Sequence, residues 1–260
     1  MLRIGLAQMD IKLGDREANF AAVEEWMKKY WTPSETETAV VLPEMFDVGY
    51  VIDEAEKYAD RGAERAVEFL SGLARRYDVW FAGGSALAWA DGAAVNRALV
   101  VNPRGEYVAH YDKVHLVPMM DEDKYLRGGS EFCTFDLGGV KCALAICYDL
   151  RFCEWFRMGA LAGAQLFFIS AEWPRPRIGH WRTLLRARAV ENMMYIAACN
   201  RVGDTPSDSF PGYSAVIDPW RAALRGRRGS LRRLRRDRAA EGGRGEAFHK
   251  GARNAQARAV

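Results

Sequence analysis

Residues 38–42 (TAVVL) form a short apolar run that stops at Pro43, and Val140–Ile146 forms a second, largely apolar one. A strand with one face in water alternates apolar and polar side chains. A continuous apolar run belongs in a sheet covered on both faces. Helical patterns supply candidate cover. Arg16–Tyr30 repeats Phe20, Val23, Trp26, Met27 and Tyr30 behind a candidate N-cap, Asp15, and Glu64–Tyr77 places Val67, Leu70, Leu73 and Ala74 on one face. Further helices are expected over 153–162 and 180–193. Strands are expected over 2–9, 79–82 (stopped by Gly83-Gly84), 166–170, Tyr195–Asn200 and 213–217. Residues 96–101 and 107–111 flank the turn Asn102-Pro103-Arg104-Gly105 and read as a hairpin. Strands alternating with helices define an α/β protein with covered sheets.

The chain has 260 residues, 49% of them hydrophobic and 27% charged, within the range of soluble globular domains. No apolar run is long enough for a membrane-spanning helix. The opening MLRIGLAQMD is too short in its apolar part for a signal peptide and reads as a first strand. The five cysteines (133, 142, 147, 153 and 199) are odd in number and irregular in spacing, with no CxxC and no Cys/His cluster. That excludes a disulfide framework and gives no metal site. A reducing, cytoplasmic setting is expected.

Three polar residues sit just past expected strands: Glu44, Lys113 and Cys147. The carboxyl ends of strands are where α/β proteins build their sites. Taken singly each has an ordinary reading, as a loop carboxylate, a solvated lysine and a buried core thiol. Taken together they can run an acyl-transfer cycle. The carboxylate takes the thiol proton and passes it to the leaving group. The ammonium and the backbone N–H of Tyr148 then stabilise the oxyanion. His115 and His180 carry no local context that marks them as the base.

The segments GLAQMDIKLGDREANF, VLPEMFDVGY, Gly83–Ser85, YDKVHL and AICYDLRFCEW, in this order, resemble the nitrilase superfamily of carbon–nitrogen hydrolases. The likeness runs from residue 1 to about 220. It implies a four-layer α-β-β-α sandwich, assembled as a homodimer or larger, and no cofactor. It further implies that Glu44 is the base, Lys113 the oxyanion-stabilising cation and Cys147 the nucleophile, with Glu122 helping to position the substrate amide. More narrowly, MMDEDKYLRGG and AEWPRPRIGHWRTLLRARAVENMMYIAACNRVG are similar to the omega-amidase branch. The implied substrate is a small omega-amide such as 2-oxoglutaramate. Trp173 is expected to wall the pocket, and Arg151, Arg175 or Arg177 to meet a substrate carboxylate, with Tyr148 and Arg151 next to the nucleophile. Nitrile hydrolysis, carbamoyl hydrolysis and a catalytically dead scaffold remain alternatives.

The resemblance stops near Trp220. Residues 221–260 hold twelve Arg and one Lys against one Asp and two Glu, a net +10, which leaves −7 for residues 1–220 of a chain whose total is +3. Their few large apolar side chains cannot bury much surface, so disorder is expected. The stretch reads either as a basic arm for an anionic surface or as the Arg/Ala/Gly bias of GC-rich DNA translated out of frame, and a frameshift near codon 221 is the favoured reading. Nucleic acid is not an expected partner, because the body is acidic.

Overall fold

The computed structural model describes residues 2–220, 224–225 and 231–234. In chain order its first half contains β1 (Leu2–Leu6), α1 (Arg16–Tyr30), β2 (Thr38–Val41), α2 (Ala55–Tyr58), β3 (Asp60–Arg61), α3 (Glu64–Tyr77), β4 (Trp80–Ala90), β5 (Ala93–Val101) and β6 (Tyr107–Asp112). There follow α4 (Glu122–Tyr125), β7 (Thr134–Leu137), β8 (Val140–Ile146), α5 (Cys153–Leu161), β9 (Leu166–Ala171), α6 (Ile178–Asn192) and β10 (Tyr195–Asn200). The last elements are β11 (Val202–Asp204), β12 (Ser209–Pro211), β13 (Ala215–Ile217), β14 (Leu224–Arg225) and β15 (Leu231–Leu234).

Two mixed sheets carry the molecule. One runs β15-β1-β2-β4-β5-β6 with β3 beside β4, the other β14-β13-β10-β9-β8-β7. The fully buried β2 and the parallel β8, β9 and β10 are central, as their apolar runs require. Ile4, Val41 and Val100 of the first sheet share one core with Leu144, Phe168 and Ala197 of the second. Phe20, Trp26, Leu70 and Leu73 of α1 and α3 cover the outer face of the first sheet. Trp155, Phe156, Trp181 and Leu185 of α5 and α6 cover that of the second. The order of layers is α-β-β-α.

One sequence expectation changes. Gly83-Gly84 does not stop a strand. β4 runs on to Ala90, and the two glycines, at φ 85° and 90°, take up a register shift against β5 between Ala82 and Ser85. A bulge needs such φ values at little steric cost, which only glycine supplies. Within the stretch read as a disordered or frameshifted tail, β15 pairs antiparallel with β1 and β14 with β13. Sheet edges offer unpaired backbone groups that a short segment satisfies whatever its side-chain composition. The remainder of that stretch lies outside the described residues.

Candidate active site

Cys147 follows β8 directly, with Ile146 opposite Ser170 of the parallel β9. Its φ is 42°, in the left-handed region that β-carbon sterics disfavour. Asp149 holds that turn. Its Oδ2 accepts from the Ile146 N–H (2.8 Å) and the Tyr111 hydroxyl (2.8 Å), and its Oδ1 accepts from the His115 N–H (3.1 Å). The His115 ring contacts Asp149 through Nδ1 at 2.7 Å and stacks on Phe152. His115 therefore supports the turn that carries Cys147.

Glu44 leaves the end of β2 behind Pro43. Met45 follows at φ 43°, and its N–H donates to Ser85 Oγ at 2.9 Å. The bulge in β4 thus sets the carboxylate's height. Lys113 leaves β6, its N–H bonded to the Asn96 carbonyl (2.9 Å) and its carbonyl to the Gly129 N–H (2.9 Å). Glu122 opens α4, while its neighbours Asp121 and Asp123 stay exposed.

These side chains meet between the two sheets. Lys113 Nζ lies 2.8 Å from Glu44 Oε1 and 2.7 Å from Glu122 Oε1. Glu44 and Lys113 are each 1% exposed, Glu122 is fully buried, and Cys147 is 9% exposed. Buried ions persist only when paired and hydrogen-bonded. Here two carboxylates share one ammonium, and neutral donors supply the rest. Asn96 Nδ2 donates to Glu44 Oε1 (2.8 Å) and the Glu172 N–H to Glu44 Oε2 (2.9 Å). The Val117 N–H donates to Glu122 Oε2 (2.7 Å) and the Tyr50 hydroxyl to Glu122 Oε1.

Burial pushes the Cys147 thiol well above its ordinary value. The Glu44 charge and a hydrogen bond to Glu44 act in the same direction, and the Lys113 charge opposes them. The resting sulfur is a neutral thiol. Burial alone would lower Lys113, but Glu44 and Glu122 outweigh it and hold the ammonium charged. Burial raises Glu122 against the pull of Lys113.

Of the expected substrate contacts, Trp173 is buried after β9, its indole N–H on the Arg177 carbonyl (2.8 Å). Tyr148 is half-buried beside Cys147. The Arg151 guanidinium lies 5.5 Å from the Tyr148 ring centroid and 4.9 Å from that of Trp173. Among the described residues no carboxylate pairs with Arg151. Arg175 is exposed and bonded to Ser209 Oγ (3.1 Å). Sequence reasoning did not find Asn96, Tyr50, Ser85, Asp149 or Glu172. Tyr50, Ser85, Asp149 and Glu172 stood inside the quoted motifs, whereas Asn96 carries no local signal. Among the described residues no group of three His, Cys, Asp or Glu side chains is placed to hold a metal ion.

The carbon-nitrogen hydrolase family model matches residues 3–227. A 2-oxoglutaramate amidase of Bacillus subtilis is 38% identical over 221 residues, covering 85% of this chain and 84% of the relative. An omega-amidase of Yersinia enterocolitica is 34% identical, covering 84% of this chain and 81% of the relative. Among solved structures, a CN-hydrolase superfamily protein from Xanthomonas campestris, with an arsenic adduct in its active site, superposes with a TM-score of 0.84. It is 28% identical and 93% of each chain is covered. Motif order and four-layer architecture agree with these likenesses, and the chain belongs to the carbon–nitrogen hydrolase family.

Proposed function

We propose that this protein is an omega-amidase that hydrolyses the terminal amide of a small substrate such as 2-oxoglutaramate through a Cys147 thioester. The observation that carries this reading is the sharing of Lys113 by Glu44 and Glu122 beside the Cys147 thiol. Because the resting thiol is protonated, sulfur attack requires Glu44 to take the proton as the carbon–sulfur bond forms. The Lys113 ammonium and the Tyr148 N–H stabilise the oxyanion. As that intermediate collapses, the carbon–nitrogen bond breaks and Glu44 returns the proton to the departing ammonia. Glu44 next deprotonates a water that attacks the thioester, and Cys147 leaves as thiol. Glu122 and Tyr50 orient Lys113 and the amide. Arg151, over the Tyr148 and Trp173 rings and without a carboxylate partner among the described residues, takes the substrate's distal carboxylate.

The names of the curated relatives support an omega-amide over a nitrile or a carbamoyl compound. Ammonia release across a panel of omega-amides, simple amides, nitriles and N-carbamoyl compounds tests this. Turnover of omega-amides, abolished by Cys147→Ala, is expected. Undiminished release in that variant eliminates the mechanism, and turnover confined to nitriles or carbamoyl compounds eliminates the substrate class.

For assembly, the reading is a homodimer or larger. Met158 and Leu161 of α5 and Val190 of α6 are exposed on the outer helical layer, an apolar surface for a second copy. Light scattering at micromolar concentration is expected to give at least twice the 29.2 kDa of the chain. A cytoplasmic location fits the five free thiols among the described residues.

A further inference from the structure

Glu172 and Arg201 stand at the ends of neighbouring parallel strands, β9 and β10, one residue beyond the paired Ala171 and Asn200. Both are buried, and Arg201 is wholly so. Glu172 Oε2 lies 2.8 Å from Arg201 Nη1. The same guanidinium reaches the Ile11 carbonyl (2.8 Å) and Asp10 Oδ1 (3.3 Å), in the segment after β1. It thereby ties the second sheet to the first, which carries Glu44. The Arg201 N–H also donates to the Ala171 carbonyl (3.1 Å), so the Ala171–Glu172 peptide is held from two directions. That peptide's N–H is the donor to Glu44 Oε2, while Asn96 and Lys113 occupy Oε1.

We propose that Glu172 and Arg201 are a positioning pair for the base: their ion pair locks the peptide whose N–H fixes Glu44 Oε2, leaving Glu44 aligned to take the Cys147 proton. This rests on the amidase mechanism above. Two observations separate the pair from an ordinary internal ion pair. Glu172 Oε1 is buried without a hydrogen-bond partner, a costly arrangement in a pair that serves stability alone. Glu172 also lines a cavity of about 240 Å³ with Tyr50, the residue that holds Glu122, so it borders the catalytic network on that side as well.

The pair depends on ionised Glu172. Burial pushes its carboxyl up to about 7, against the pull of Arg201, with the Glu44 charge raising it and the Lys113 charge lowering it. Tyr50 and Asp208 share its cavity, and Asp10 stands on the far side of Arg201. A raised carboxyl is ionised above its folded value and loses its charge as pH falls through it. The clamp therefore weakens below neutrality.

Cys147 alkylation by iodoacetamide, followed by peptide mass spectrometry across pH, reads the thiol without any choice of substrate. The wild type is expected to show an acid limb near pH 7. Glu172→Gln, of equal size, is expected to lack that limb, react about fivefold more slowly above it, and meet the wild-type curve at its acid end. On the amide substrate kcat falls while KM stays within about twofold. Arg201→Lys keeps the charge but loses the fork, and is expected to fall between the two. Equal alkylation rates and an unchanged limb in folded Glu172→Gln overturn the positioning role and leave the amidase reading standing. A wild-type Cys147 that does not alkylate at any pH overturns both.

Discussion

Cys147 sits at φ 42° because the turn after β8 is fixed by Asp149, whose two oxygens collect donors from Ile146 on β8 and from Tyr111 and His115 at the end of β6. Strained backbone persists only where its surroundings over-determine it. The strain here belongs to the residue proposed to present sulfur to a carbonyl carbon. Lys113→Gln is expected to keep the polar contact and lose the charge, costing about 2.7–4 kcal/mol of transition-state stabilisation, read as kcat. Arg151→Met is expected to raise KM for a carboxylate-bearing omega-amide at least tenfold, consistent with about 1.5–3 kcal/mol for a charged hydrogen bond. The same change is expected to leave a neutral aliphatic amide almost unaffected, and equal effects on both substrates would remove Arg151 from the carboxylate site. At this scale the groups proposed to react were legible in the sequence, since Glu44, Lys113 and Cys147 each follow a recognisable strand. It did not reveal their supports. Asn96 and Glu172 reach Glu44 across 52 and 128 residues of chain, and nothing local records such a meeting.

Between neighbouring elements, the bulge of β4 links fold and site. Gly84 has φ 90°, a Cβ there would lie 2.6 Å from Leu42 Cβ, and its N–H donates to Ser170 Oγ at 2.6 Å. Gly84→Ala is expected to destabilise by about 1–3 kcal/mol and to lower kcat, because Ser85 holds the residue after Glu44. A normal kcat with normal denaturant stability would contradict that link. Helices α1 and α3 were readable to the residue from their apolar periodicity. The course of β4 was not, because two glycines in sequence carry the same signal for a stop and for a bulge. The edge strands β14 and β15 were hidden for another reason: their pairing uses backbone groups, and composition speaks only of side chains. A chain ending at Trp220 loses both strands and bares the β1 and β13 edges. Its melting temperature is expected to fall by several degrees relative to a chain ending at residue 234.

For the whole molecule, buried carboxyls set how stability depends on pH. Burial lifts Asp47 from 3.8 to about 6 against the pull of Arg16, and Glu172 from 4.5 to about 7. Between those limits the native state holds protons that the unfolded chain has released. Stability contributed by these groups therefore falls as pH rises, by on the order of 3 kcal/mol each across their windows. Denaturant midpoints are expected to decline from mildly acidic to neutral pH, and Asp47→Asn to flatten the lower part of that slope. Two sheets face to face bring strand ends from both halves of the chain to one buried place, and there the Cys147 thiol meets the carboxylate proposed as its base. The most direct test is rapid-quench mass spectrometry during turnover of an omega-amide. An acyl adduct confined to the Cys147 peptide, absent from Cys147→Ala along with ammonia release, is predicted. Ammonia released without that adduct, or an adduct on Cys133, Cys142, Cys153 or Cys199 instead, would contradict the account.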